Sequence, residues 1–187
     1  MKNGSIVLIV ILAVVVLGAV WFGATYNSVV ALGENVDAKW AQIENQLQRR
    51  YDLVPDLVKV ANKYAAHEKD TIEAVVNARA KLSGASTVED EIAASKELEG
   101  ALSRLLVVVE NYPTLKADAT YISLMDEMSG TENRIAVARK DYNESVKEYN
   151  VKIKTFPTVL IRGMIGAEEK TFFEVESNVM AKPEYDL

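Results

Sequence analysis

The chain has no cysteine, one histidine, nine glycines and four prolines in 187 residues. Without cysteine there is no disulfide, no thiol nucleophile and no cysteine-ligated zinc. The lone His67 is followed by Glu68, but Thr71 stands where an H-E-x-x-H zinc motif needs its second histidine. No G-x-S-x-G elbow and no glycine-rich phosphate loop occurs. Scarce glycine and proline argue against a sandwich or barrel and suit long helices. Positive charge is also short: 21 Lys and Arg against 27 Asp and Glu leave a net −6. That is the wrong sign for a surface that neutralises phosphates. The expectation is a protein that is no enzyme and has no cofactor and no nucleic-acid partner.

What the sequence does have is one long apolar run, Ile6–Gly23, with neither charge nor proline. Eighteen residues at a helical rise of about 1.5 Å span about 27 Å, close to the hydrocarbon thickness of a bilayer. In lipid the backbone must satisfy its own hydrogen bonds, so the run is read as a transmembrane helix over 1–25. It is longer than a signal-peptide core and offers no A-x-A site, which favours an uncleaved anchor. Trp21 and Tyr26 suit an interfacial aromatic belt. Lys2 precedes the run and the next basic residue is Lys39, so the positive-inside rule leans toward an exported domain.

Beyond the run, apolar residues recur at three to four residue intervals, with charges off the stripe. Val29, Val36, Trp40, Ile43, Leu47, Val54, Leu57, Ala61 and Tyr64 make one seam, continued by Ile72, Val75 or Val76 and Leu82. This predicts one helix from Tyr26 to Leu82, kinked near Tyr51–Val54 by Pro55, which removes the hydrogen bond to the Tyr51 carbonyl. Leu82–Ser86 is the first loop. Ser86 and Glu89 have capping-box spacing, opening a second helix over Val88–Asn111 with Ile92, Leu98, Leu102, Leu105, Val109 and Tyr112 inward. Pro113 suits a helix start. A third helix follows over Thr114–Met128, with Leu115, Ile122, Met125 and Met128 inward. Ser129–Thr131 is a short break or a tolerated junction. A fourth helix covers Glu132–Thr155, with Ile135, Tyr142, Val146, Tyr149, Ile153 and Phe156 on one side, and Pro157 ends it. The fold class is thus all-α: an N-terminal transmembrane helix, then an elongated antiparallel bundle of about four helices over 26–157. The tail, 158–187, is read as a lid packing on the bundle or partly disordered. The alternative for its apolar stretch is a segment dipping into lipid, for which it lacks a basic polar face.

Two polar groups stand out. The first is Arg49, Arg50, Tyr51, Asp52, Pro55 and Asp56. Arg50 falls on the apolar seam seven residues after Ile43, so its guanidinium needs a carboxylate or carbonyl partner, such as the Tyr51 carbonyl, or must snorkel outward. A structural plug at the kink is favoured over a docking site. The second is Tyr142-Asn143 and Tyr149-Asn150, one heptad apart and therefore on one helix face. Tyrosine bodies there pack between helices while polar tips reach partners at the edge.

These stretches carry a family resemblance. The run followed by Tyr26-Asn27, the segment Gln46–Val58, Tyr64–Glu68, Tyr112–Ala117, Thr131–Ile135, Ala138-Arg139, Tyr142-Asn143, Tyr149-Asn150, Phe156-Pro157 and Phe172-Phe173-Glu174 closely resemble the LemA family of bacterial membrane proteins. The resemblance implies an anchored, elongated helical bundle with no assigned catalytic residue. Through a relative of magnetosome membranes it also implies membrane shaping or scaffolding. The tail departs from the family where Ala167 follows Gly166. The expected function is a single-pass scaffold in the bacterial cytoplasmic membrane, partnered by the lipid bilayer and by itself or other membrane proteins. The alternative is a membrane-tethered ligand-sensing or adaptor module.

Overall fold

The computed structural model describes residues 2–173 and is all-helical over them. Helix α1 is Lys2–Tyr64, α2 is Lys69–Gly84, α3 is Val88–Val109, α4 is the single turn Pro113–Lys116, and α5 is Ala119–Lys154. A 3-10 turn follows at Thr158–Leu160. The tail beyond Phe173, including Glu174, lies outside the described residues.

Helix α1 has 63 residues and so is about 94 Å long. Its apolar run is long and apolar enough to cross a membrane, and none of it is buried in the chain. The helix continues through Pro55 without interruption. It ends earlier than its stripe predicts, because the chain reverses at Ala65–Glu68. That reversal is hidden in the sequence: Ala65 and Ile72 are both buried and one heptad apart, so the period keeps phase across the turn. Two tyrosines pin it. Tyr64 Oη donates to Asp118 at 2.8 Å and Tyr112 Oη donates to Glu68 at 2.9 Å.

Helix α2 then runs antiparallel to α1 and turns into α3. The cap of α3 is Thr87, whose Oγ1 accepts from the Asp90 amide. The Ser86–Glu89 box does not form; Glu89 instead accepts from Thr171 at 2.7 Å. Pro113 does open a helix, but only one turn. Asp118 caps the next, its Oδ1 accepting from the amides of Thr120 and Tyr121. The expected third and fourth helices are therefore mostly one, α5, which runs through Ser129-Gly130. A mid-helix glycine costs only about 1 kcal/mol, and Thr131, fully buried, holds the seam there. The start of α5 is phased differently from expectation: Tyr121 and Leu124 face inward, while Ile122 is exposed.

The core falls into two clusters. The distal one, far from the apolar run, joins Val54, Leu57, Ala61, Val75, Leu98, Leu105, Val109, Leu115 and Met128 from all five helices. The proximal one joins Val29, Val36, Trp40, Ile43 and Leu47 of α1 to Ile135, Tyr142, Val146, Tyr149 and Ile153 of α5. Each fully buried aliphatic side chain contributes about 1.5–3 kcal/mol. Helix lengths explain the division. At the helical rise, α2 and α3 reach about 24 and 33 Å against about 54 Å for α5, so α1 and α5 run the length of the proximal half and α3 enters it only by its first turns, through Val88 and Ile92. The rest of the cover there is the tail. Its Ala167 and Phe173 join the proximal cluster, and Phe173 is 1% exposed.

Candidate functional site

Between the two clusters lies a layer of buried polar residues, one from each long helix. Arg50 sits between Leu47 and Val54 on α1, Ser95 between Ile92 and Leu98 on α3, and Thr131 between Met128 and Ile135 on α5; all three are buried. Ser95 and Thr131 turn their hydroxyls to their own helices, donating to the carbonyls of Ile92 and Glu127. Arg50 has no such option. It pairs with Glu132, while its Nε and Nη1 are buried without a hydrogen-bond partner. Burial lowers its pKa from the ordinary arginine value; Glu99 opposes the shift and Arg139 adds to it. An open cleft of about 360 Å³ borders the layer, lined by Arg50, Glu99, Met125, Met128 and Glu132 among others.

The sequence cluster around Arg50 is split by the structure. Arg49 points outward and grips Glu127, with Nε and Nη2 at 3.1 and 2.7 Å from one carboxylate oxygen. Asp52, which accepts from Gln48 at 2.9 Å, is exposed, as are Pro55 and Asp56. The carbonyl that Pro55 leaves free at Tyr51 is taken, though not by Arg50. Arg79 of α2 donates its Nε to it at 3.1 Å and lays its guanidinium over the Tyr51 ring at 3.7 Å. A proline in one helix thus creates the acceptor that fastens the next. His67 is exposed in the turn after α1.

The Tyr-Asn pairs have a use that the sequence reading missed. Asn143 and Asn150 each clasp one residue of the tail through both backbone groups. Asn150 Nδ2 donates to the Lys170 carbonyl at 2.8 Å and its Oδ1 accepts from the Lys170 amide at 2.9 Å. Asn143 does the same to Phe173, at 2.9 and 2.8 Å. Between them Tyr142 Oη donates to the Thr171 carbonyl at 2.8 Å. The spacing is physical: seven helical residues rise about 10.5 Å, and three residues of extended chain cover about 10 Å. Tyr149 differs, packing in the core with its ring over Gly33.

Side chains of this extended strap reach every neighbour. Lys170 pairs with Asp37 of α1 at 2.8 Å, Thr171 with Glu89 of α3, and Glu169 with Lys154 at 2.7 Å. Phe173 packs on Trp40, and the Arg139 guanidinium lies 4.4 Å from its ring centre. Arg139 also pairs with Glu99 at 3.3 Å, which ties the strap to the polar layer. Gly166, at φ +65°, turns the chain into the strap, and the Ala167 amide closes back on the Arg162 carbonyl at 3.0 Å. Heptad-spaced Tyr-Asn pairs facing a short apolar tail were the available signal.

Among the described residues no group of three His, Asp or Glu side chains converges as a metal site would require. The site is a set of static contacts: a polar layer, an arginine on a freed carbonyl, and a strap read through its backbone.

Known proteins place this arrangement. The chain is 31% identical to the magnetosome protein MamQ of Magnetospirillum gryphiswaldense, over 87% of this chain and 71% of that protein. It is 29% identical to the magnetosome protein MamQ 1 of Paramagnetospirillum magneticum, over 88% and 71%. It is 28% identical to the protein LemA of Metamycoplasma hominis, over 51% and 44%. The LemA family profile matches residues 39–186, which takes in the polar layer, the Tyr-Asn face and the strap. The chain belongs to the LemA family.

Proposed function

We propose that this protein is a single-pass membrane scaffold of the bacterial cytoplasmic membrane, without catalytic activity, that assembles with copies of itself or with other membrane proteins. One observation carries the reading. The unburied apolar run and the seam of the bundle are parts of one helix, α1, so the bundle is coupled to its anchor without a linker. The polar side chains of the Tyr-Asn face and the strap are spent on one another, in hydrogen bonds and ion pairs, which suits assembly better than chemistry. The MamQ relatives, named as magnetosome proteins, agree with a role in membrane organisation. Crosslinking in native membranes tests it: crosslinked species larger than one chain are expected, and monomer alone overturns it. Protease access in spheroplasts reads the side, with cleavage expected for an exported bundle.

The cleft beside Arg50 supports a second reading, a membrane-tethered ligand-sensing or adaptor module. It expects Arg50→Met to change which proteins are recovered with the solubilised chain; unchanged recovery removes it.

A further inference from the structure

Phe156, Leu160 and Met164 were candidates for the core or the lid by their position after α5, but they are 79%, 68% and 78% exposed. They recur every four residues along the turns that follow α5, and the opposite side of these turns is buried through Thr158 and Ile161. The segment is thus two-faced, and its apolar outer face is not accounted for by the fold.

Its height along α1 is fixed by packing. Tyr149 lies over Gly33, and Ile153 shares the proximal cluster with Val29. In antiparallel helices one chain descends as the other climbs, so the end of α5 at Lys154 stands level with about residue 28 of α1. The turns beyond it begin level with about residue 26, close to the end of the apolar run. Thr25 is buried and Gly23 half-buried at this height, while residues 4–22 are exposed. The bundle therefore has no stalk, and its proximal face meets whatever surrounds the end of the run. Lys152 flanks the apolar side chains, while Lys154 and Arg162 beside them pair with Glu169 at 2.7 and 3.8 Å, so the apolar side chains and not a basic face carry the contact. The segment is held at both ends, by α5 before it and by the strap after it.

We infer that Phe156, Leu160 and Met164 insert into the headgroup boundary of the bilayer that the apolar run spans, forming a second attachment beside the anchor. This rests on the reading of the run as an anchor. The bilayer is the occupant because it surrounds α1 on every side at this height, whereas another protein would have to share that layer with lipid. The wedge fixes the bundle's rotation about α1, which one helix crossing a bilayer leaves free.

The natural absence of cysteine allows a direct test. Phe156→Cys, Leu160→Cys and Met164→Cys, with Val16→Cys in the run and Val107→Cys on α3, are each labelled with an environment-sensitive fluorophore. The full chain is reconstituted in vesicles of phosphatidylcholine and phosphatidylglycerol. Labels at 156, 160 and 164 are expected to lose about half their emission to shallow nitroxide lipids and to resist aqueous iodide, while the label at 107 shows the reverse. The label at 16 is expected to respond to deep nitroxide lipids. If 16 responds and the other three stay open to iodide, the wedge is overturned and the anchor stands. If 16 does not respond, the anchor reading itself fails. Labels shielded from iodide yet untouched by nitroxide lipids mean a protein cover, which also overturns the wedge. Unchanged helical circular dichroism establishes that each variant is folded.

Discussion

The distal half of the bundle is closed by all five helices around an apolar cluster. The proximal half is closed by two long helices, the first turns of α3 and a few residues of extended chain. The distal half is held mainly by side chains packed on side chains, with the α2–α3 hairpin adding local contacts to those that join α1 to α4 and α5. The proximal half joins residues more than 130 apart, as Lys170 and Asp37 are, and relies on hydrogen bonds to backbone. A long helix pair is thus completed by a strand-like segment where the neighbouring helix reaches only partway along it.

The largest expected effect is that of Phe173→Ala. Emptying a site that is 1% exposed costs about 3–5 kcal/mol. Hydrogen exchange is expected to lose protection in α5 after Ile135 and in the strap, with the segment around Leu98 and Leu105 kept. Uniform loss would make the two halves one cooperative unit and break the comparison.

Alkaline pH separates the halves next. Burial first, then the charges of Glu89 and Asp37, push the Tyr142 phenol up to about 12. The unfolded tyrosine gives up its proton near 10, before the folded one does. Stability is therefore full below about pH 10 and falls by about 2 kcal/mol as pH rises to the folded value. Urea titrations over this range are expected to show the loss, and Tyr142→Phe to remove most of it. Burial also raises the distal Tyr121, which remains in that variant as the reference.

A smaller loss, about 1–2 kcal/mol each, is expected for Asn143→Ala and Asn150→Ala, since each removes two hydrogen bonds to the strap. The double variant sharpens the comparison: coupled losses in a double-mutant cycle mean that the strap binds as a unit, and simple additivity means that the clasps act independently.

The smallest effect has the opposite sign. Arg50→Met is expected to raise stability by about 1 kcal/mol, because the guanidinium has two buried nitrogens without partners and Glu132 is partly solvated. A higher urea midpoint with a single transition would show the two clusters merging. A lower midpoint would show that the polar layer stabilises the bundle.

Most of the architecture was legible in the sequence because it rests on period. The α1 stripe from Val29 to Ala61 and the α3 stripe from Ile92 to Val109 are buried as read. Failures came where period and direction part company. Ala65 to Ile72 keeps phase through a reversal, and Ser86-Thr87 offers two caps of which spacing favours the wrong one. Phe156 continues the α5 stripe on paper, but the helix has ended at Lys154. Of the candidate site, the need of Arg50 for a carboxylate and the freed Tyr51 carbonyl were both readable, since each follows from local chemistry. Their joining was not: Arg79 is 28 residues from that carbonyl, and only the fold brings it there. The clasp was half legible, as heptad-spaced asparagines declare a face but not the extended segment it receives.

The match between helix and strap acts as a vernier. The two scales coincide once in seven residues on one side and once in three on the other, so a slip by a single residue leaves both asparagines facing the wrong peptide groups. Length is consequently policed between Lys170 and Phe173 and between Asn143 and Asn150, where one inserted residue undoes the register.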